Sequence, residues 1–144
     1  MAYCIDTNIL LRSVQPTHAM HAVASSALAQ IVSAGEELCI FPQNIREFRN
    51  VATRPAERNG LGFSIAQVEA EVVQIESAFK VLDDGLRVYR EWRRLIWQHQ
   101  VSGIQVHDCY IAAALRVRKI ERILTFNTED FSRYGVTVVD PARL

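Results

Sequence analysis

A chain of 144 residues, 49% hydrophobic and 22% charged, is long enough to bury a core and too apolar to be disordered. Its 16 Lys and Arg balance 16 Asp and Glu, which argues against a strongly basic, indiscriminate nucleic-acid binder. No apolar run approaches the ~20 residues of a membrane span, and the first residues lack the basic stretch of a signal peptide. Cys4, Cys39 and Cys109 lack metal-ligand spacing and read as small core residues in a reducing compartment. A single cytoplasmic domain, residues 1–144, is the expectation. The cations are 14 Arg against 2 Lys. That bias favours a phosphate-bearing partner, although a GC-rich coding sequence would produce it equally.

In chain order, residues 2–11 come first: Ala2, Tyr3, Cys4, Ile5, Asp6, Thr7, Asn8, Ile9, Leu10 and Leu11. An apolar run ending in an acid predicts a buried strand that delivers a carboxylate to its C-terminal edge, with Thr7 or Asn8 starting a helix. That edge is where ligands bind in open α/β sheets. Asp6 and Asn8 would equally suit a helix cap. His18 to Ala34 is Ala-rich with helical apolar spacing, and Gly35 ends it. His18 and His21 read as solvated first-turn residues, since no partner of zinc spacing appears.

Leu38 to Phe41 is a short strand stopped by Pro42. Gln43 to Arg54 is a helix with Ile45, Phe48, Val51 and Ala52 as its buried face, and Glu47 at the edge of that face. Residues 55–62 form a loop. Ser64 and Gln67 make a capping box, followed by an apolar stripe of Ile65, Val68, Val72, Ile75 and Phe79. Lys80 to Leu82 is a strand, closed by Asp83 and Asp84, which cap the helix 85–99.

That helix carries Arg87, Arg90, Arg93 and Arg94 beside Leu86, Tyr89, Trp92, Leu95 and Ile96. It reads as amphipathic with a solvated Arg face, although aromatics among cations can also hold single-stranded nucleic acid. Residues 102–106 read as a loop. His107 to Lys119 is helical, with Asp108 aligned on the face of Ile111, Ala112 and Leu115. An acid there suits the helix dipole, but an acid on a buried face needs a partner. Arg122 to Phe126 is a strand, Asn127 to Phe131 a turn, and Val136 to Val139 a last strand. Such alternation predicts an α/β fold, a mostly parallel sheet between helical layers.

Asp6, Asp108 and Asp130 therefore fall at strand C-termini or helix N-termini, which face one edge of a parallel sheet, and Glu47 can reach it. Carboxylates brought together repel and raise each other's pKa. A divalent, oxygen-loving ion such as Mg²⁺ resolves that repulsion and can activate water for attack on a phosphoryl group.

Four segments carry a resemblance. Ile5 to Leu10, Arg46 to Val51, His107-Asp108 leading into its Ala-rich helix, and Leu124 to Phe131 resemble the four motifs of the PIN domain, in order and across nearly the whole chain. They are most similar to the VapC-type toxins of bacterial toxin–antitoxin pairs. The resemblance implies a three-layer α/β/α sandwich and a Mg²⁺- or Mn²⁺-dependent endoribonuclease that hydrolyses RNA phosphodiesters by metal-activated water. It implies Asp6, Glu47 and Asp108 as the first three acids of the metal site. Asp130 is assigned as the fourth, from the Thr125-x-Asn127-x-x-Asp130-Phe131 ending, with Asn127 as a polar neighbour. Thr7 and Asn8 fall at the small polar positions that support the first acid. A homodimer and a cognate antitoxin are also implied.

Three other readings compete. One is a PIN-type nuclease outside any toxin–antitoxin system. Another is a phosphatase similar to haloacid dehalogenases, in which Asp6 would be the nucleophile; Asn8 stands where that chemistry wants a second acid. The last is a non-catalytic interaction module.

Overall fold

A computed structural model describes residues 1–144. The elements alternate as the hydrophobic pattern predicts. Strand β1 (Ala2–Ile5) leads into helices α1 (Thr7–Ser13) and α2 (His21–Ser33), and strand β2 (Glu37–Ile40) into α3 (Pro42–Thr53) and α4 (Ile65–Ala78). Strand β3 (Lys80–Val81) precedes α5 (Gly85–His99) and α6 (Gln105–Val117). Strands β4 (Arg122–Leu124) and β5 (Thr137–Val139) close the chain, joined by a 3-10 segment at Thr128–Tyr134.

The five strands form one sheet in the order β3-β2-β1-β4-β5, and every neighbouring pair is parallel. Its three central strands, β2, β1 and β4, are buried on both faces, as continuous apolar runs require, whereas the edge strands β3 and β5 are exposed or half-buried. Successive residues along a strand point to opposite faces. Tyr3, Ile5, Leu38, Ile40 and Leu124 therefore join Leu10, Ile31, Phe48 and Val72 in one core, under α1 to α4. Cys4, Cys39, Phe41 and Ile123 join Leu95, Ile111, Leu115 and Phe131 in the other, under α5 and α6. These are the three layers of an α/β/α sandwich. All three cysteines are buried and unpaired.

Several boundaries move. The helix expected from His18 starts at His21, because His18–Met20 form a turn in which His18 Nδ1 accepts the Met20 amide. His21 is not simply solvated: its Nδ1 meets the Arg12 carbonyl at 2.9 Å. The Ser64–Gln67 capping box is present, but it leaves Ile65, at the helix's first position, 77% exposed and outside the core stripe. Helix α6 begins at Gln105, within the expected loop, and β4 ends at Leu124 rather than Phe126.

The topology decides where the site is. The chain places β2 and β3 on one side of β1, then crosses to place β4 and β5 on the other. The connections from β1 and β4 thus diverge to opposite faces, leaving a crevice beyond the carboxyl ends of these two neighbours, the switch point of an open sheet.

Candidate active site

Asp6 stands at that switch point. Its extended backbone (φ −72°, ψ 154°) ends β1 and caps α1, with Oδ1 accepting the Thr7 amide at 2.8 Å. Capping engages one oxygen only. The other, Oδ2, accepts the Thr125 hydroxyl at 2.7 Å from the end of β4. The side chain is buried, and no cation lies within ion-pairing distance. Burial pushes its carboxyl up to about 6, with Glu47 and Asp130 adding to the rise and the hydrogen bonds from Thr125 and Thr7 opposing it.

Asp108 lies in the first turn of α6, half-buried beside Cys109, where the sequence placed it on the packing face. Its carboxyl is pushed up to about 7, first by burial and then by the charges of Asp6, Asp130 and Glu47. Glu47 projects from α3 and is held by Gln43, whose Nε2 donates to Glu47 Oε1 (2.6 Å) and to the His107 carbonyl (2.8 Å). Asp130 lies half-buried in the segment after β4. Four acids from distant parts of the chain thus come within Coulombic range of one another. Glu47, Asp108 and Asp130 line one cleft of about 700 Å³ together with Arg46, His107 and Asn127. Another cavity of about 760 Å³, lined by Met1, Glu37 and Lys80 at the opposite ends of the strands, holds none of the four.

The supporting residues divide their work. Asn8 donates from Nδ2 to Thr125 Oγ1 (3.3 Å) and accepts the Phe126 amide at Oδ1 (3.4 Å), tying α1 to the segment after β4. Thr7 faces the other way: its buried hydroxyl accepts from Asn44 Nδ2 at 3.2 Å, fixing α3 against the end of β1. Asn127 is exposed on the cleft wall, and its amide donates to Thr125 Oγ1 at 3.0 Å.

Sequence reasoning missed Thr125, Gln43 and Asn44 as contributors. Thr125 is fully buried and serves Asp6, Asn8 and Asn127 with one oxygen. Read as part of the strand Arg122 to Phe126, it gave only a weak signal, a lone hydroxyl residue beside the apolar Ile123 and Leu124. Gln43 and Asn44 are polar residues buried in the first turn of α3, which helical spacing alone does not distinguish from solvated ones.

No ion pair involves any of the four acids, and no three acidic, His or Cys side chains are arranged to hold a metal ion as they stand. Uncompensated carboxylates at close range spread apart, and a counter-ion is what would draw them together. The donor set is hard oxygen throughout, without thiolate or imidazole among the four, which suits Mg²⁺ or Mn²⁺ better than zinc.

Comparison with known proteins agrees with this architecture. The chain is 17% identical to FitAcB from Neisseria gonorrhoeae, with a TM-score of 0.72 and 100% of both chains covered. It is 20% identical to a chain of a toxin–antitoxin complex from Klebsiella pneumoniae, covering 96% of this chain and 97% of that one, with a TM-score of 0.65. With VapC20 from Mycobacterium tuberculosis, a toxin that cleaves the sarcin–ricin loop, identity is 17%, TM-score 0.72 and coverage 98% and 100%. A sequence search of curated proteins finds no match. At these identities the solved structures show a shared fold, and the PIN domain family model matches residues 3–136. The chain belongs to the PIN-domain family.

Proposed function

We propose that residues 1–144 act as one PIN domain, a Mg²⁺- or Mn²⁺-dependent endoribonuclease that is the toxin of a cytoplasmic toxin–antitoxin pair. The observation that carries this reading is the meeting of Asp6, Glu47, Asp108 and Asp130 at the switch point of the sheet with no cation paired to any of them. These four residues would hold the ion. When bound, a divalent ion polarises a phosphoryl oxygen and makes the attacking water more acidic.

The chain's own part is positional. Thr125 and the Thr7 amide lock both oxygens of Asp6, and Gln43 locks Glu47. Arg46, exposed on the cleft wall, is placed to meet a phosphodiester oxygen. Hydrolysis would leave 5′-phosphate and 3′-hydroxyl ends. An antitoxin partner is proposed with it, supported by the toxin–antitoxin complex among the proteins of the same fold, and a homodimer is proposed on the family resemblance alone. RNA as substrate is supported by the RNA-cleaving toxin among them. A phosphatase of the haloacid-dehalogenase kind gains no support, because Asn8 fills the place of its second acid and is engaged with Thr125 and Phe126.

The test is cleavage of a panel of structured RNAs with Mg²⁺ or Mn²⁺, comparing wild type with Asp6→Asn and Asp108→Asn. Each substitution should reduce the rate by more than about a hundredfold, beyond the range of an outer-shell change. Equal activity in mutant and wild type would sink the assignment. Hydrolysis of a generic phosphomonoester in place of RNA would favour the phosphatase.

A further inference from the structure

The outer face of α5 is not used by the acid site. Leu86, Arg90, Arg93 and Trp97 recur at i, i+4, i+7 and i+11, so they lie along one line of the helix, with Tyr89 on its flank. Leu86 is 60% exposed, Tyr89 42% and Trp97 79%. Arg90 and Arg93 are exposed and make no ion pair or side-chain hydrogen bond, whereas Arg94, outside the line, pairs with Glu91. Helix α5 is already anchored by Val88 and Leu95 on its buried side, so packing does not call for aromatic residues on the outside. Single exposed apolar residues are ordinary; here Leu86 and Trp97 bracket two unpaired guanidiniums on one line, a mixed apolar and cationic face that the packing of the chain leaves uncovered.

This line, about 16 Å long at the helical rise, starts at Leu86, on the rim of the cavity at the opposite ends of the strands, and its C-terminal end abuts the segments that carry Asp108 and Asp130. The carbonyl of His99, which ends α5, and the side chain of Gln105 both accept from Arg133, at 3.3 and 2.6 Å. Arg133 stands three residues after Asp130, and Gln105 three before Asp108. Trp92 Nε1 donates to the Val106 carbonyl at 2.8 Å, in the turn that carries Asp108. Charge decides what covers the face. A second copy related by a two-fold axis through the middle of the line would set Arg90 against Arg93 of its partner, and like charges across an interface oppose it. A polyanion with stackable faces satisfies both kinds of side chain.

We infer that the outer face of α5 is a track for the single-stranded RNA that enters or leaves the acid cleft. Arg90 and Arg93 take the phosphates, and Trp97 and Tyr89 stack on bases. The inference rests on the nuclease reading above and extends it to how substrate is held.

The probe is a fluorescein-labelled single-stranded oligoribonucleotide of mixed sequence, titrated in EDTA so that binding is read without cleavage, across a salt series. Wild type is compared with Arg90→Ala/Arg93→Ala, with Trp97→Ala, and with Arg58→Ala/Arg143→Ala, an equal loss of charge elsewhere on the surface. The α5 double variant should weaken binding about tenfold or more and flatten the log–log salt slope by about 1.4, since each phosphate contact to a single strand contributes about 0.7. Trp97→Ala should weaken it about fivefold or more with the slope unchanged. The control should stay within about twofold.

Anisotropy curves for the α5 variants that match the control overturn the track while leaving RNA cleavage by wild type, assayed separately with Mg²⁺, to support the nuclease. Wild type that neither binds nor cleaves RNA overturns both. A Trp97→Ala protein that keeps its RNA affinity but falls to half the sedimenting mass, or loses binding to an acidic peptide, assigns the face to a protein partner and overturns the track.

Discussion

Thr125 donates its hydroxyl to Asp6 Oδ2 at 2.7 Å across 119 positions of sequence, from the end of β4 to the end of β1. Thr125 Oγ1 in turn accepts from Asn8 Nδ2 and from the Asn127 amide. One buried side chain thus orients the carboxylate at the switch point and fastens the start of the segment that carries Asp130. Deleting it should be felt in stability and in chemistry. Thr125→Val keeps the shape but leaves a buried carboxylate oxygen without its partner, costing about 1–3 kcal/mol, while the part-buried Asn8 and Asn127 donors can turn to water. RNA cleavage should fall about 10–100-fold, the range for groups that orient metal ligands. Thr125→Ser should recover most of both. Chemical denaturation and initial rates measure this; a Val variant as active as wild type would remove Thr125 from the site.

The pH dependence of stability should have an unusual sign. Asp6 and Asp108 have native pKa values raised to about 6 and about 7 from an ordinary 3.8. Between those limits the native state holds protons that the unfolded chain has released. Their contribution is fully present below the unfolded value and is lost as pH rises through the native ones. In EDTA the protein should therefore melt higher at pH 5 than at pH 8. Adding Mg²⁺ or Mn²⁺ at pH 8 should raise Tm in a concentration-dependent way, and far less at pH 5, because the ligands must first lose protons. Thermal melts in EDTA that do not fall with rising pH would contradict this account.

Asp108 should trade stability for binding. Asp108→Asn removes a half-buried charge that faces Asp6, Asp130 and Glu47, so the EDTA-treated variant should melt above wild type at pH 8 and lose most of the pH slope. It should also lose the rise in Tm with divalent ion. Isothermal titration with Mn²⁺ beside the melts reads both halves. A variant less stable than wild type in EDTA would show that Asp108 is a structural cap instead.

The fourth acidic position distinguishes Asp130 from Asn127. Asp130 exerts its charge on both Asp6 and Asp108, whereas Asn127 is tied to Thr125 by its backbone amide, a bond that any non-proline residue can make. Asp130→Asn should thus weaken divalent binding and slow cleavage by about tenfold or more. Asn127→Ala should change either by less than about threefold. Reversal of the two effects would move the fourth acid's role to Asn127.

Much of this protein can be read along the chain. The alternation of apolar strands and amphipathic helices predicts a parallel sheet between helical layers, because a parallel strand needs a crossover and a helix supplies it. Asp6, at the end of an apolar run, and Asp108, on the packing side of its helix, carry their signal locally, since an acid in such company must be paid for by a partner. Helix termini were less legible. His18 Nδ1 takes the Met20 amide, so a turn replaces the first helical residues. Gln105 is held by Arg133 from beyond β4, a contact that no local pattern announces.

What the sequence determined by itself is the periodicity, and with it the elements, the class of fold and the acids that belong at strand ends. What only the tertiary structure decided is which of those ends meet. The order β3-β2-β1-β4-β5 sets β4 beside β1 and so brings Thr125 onto Asp6. The packing of α3 and α6 against that edge lets Gln43 reach Glu47 and His107 at once. Hydrogen bonds of 3 Å and charges in mutual range are properties of distance in space, and periodicity along a chain contains no such distances. Asp6 is a helix cap when read alone, and one of four neighbouring acids once β4, α3 and α6 are folded around it.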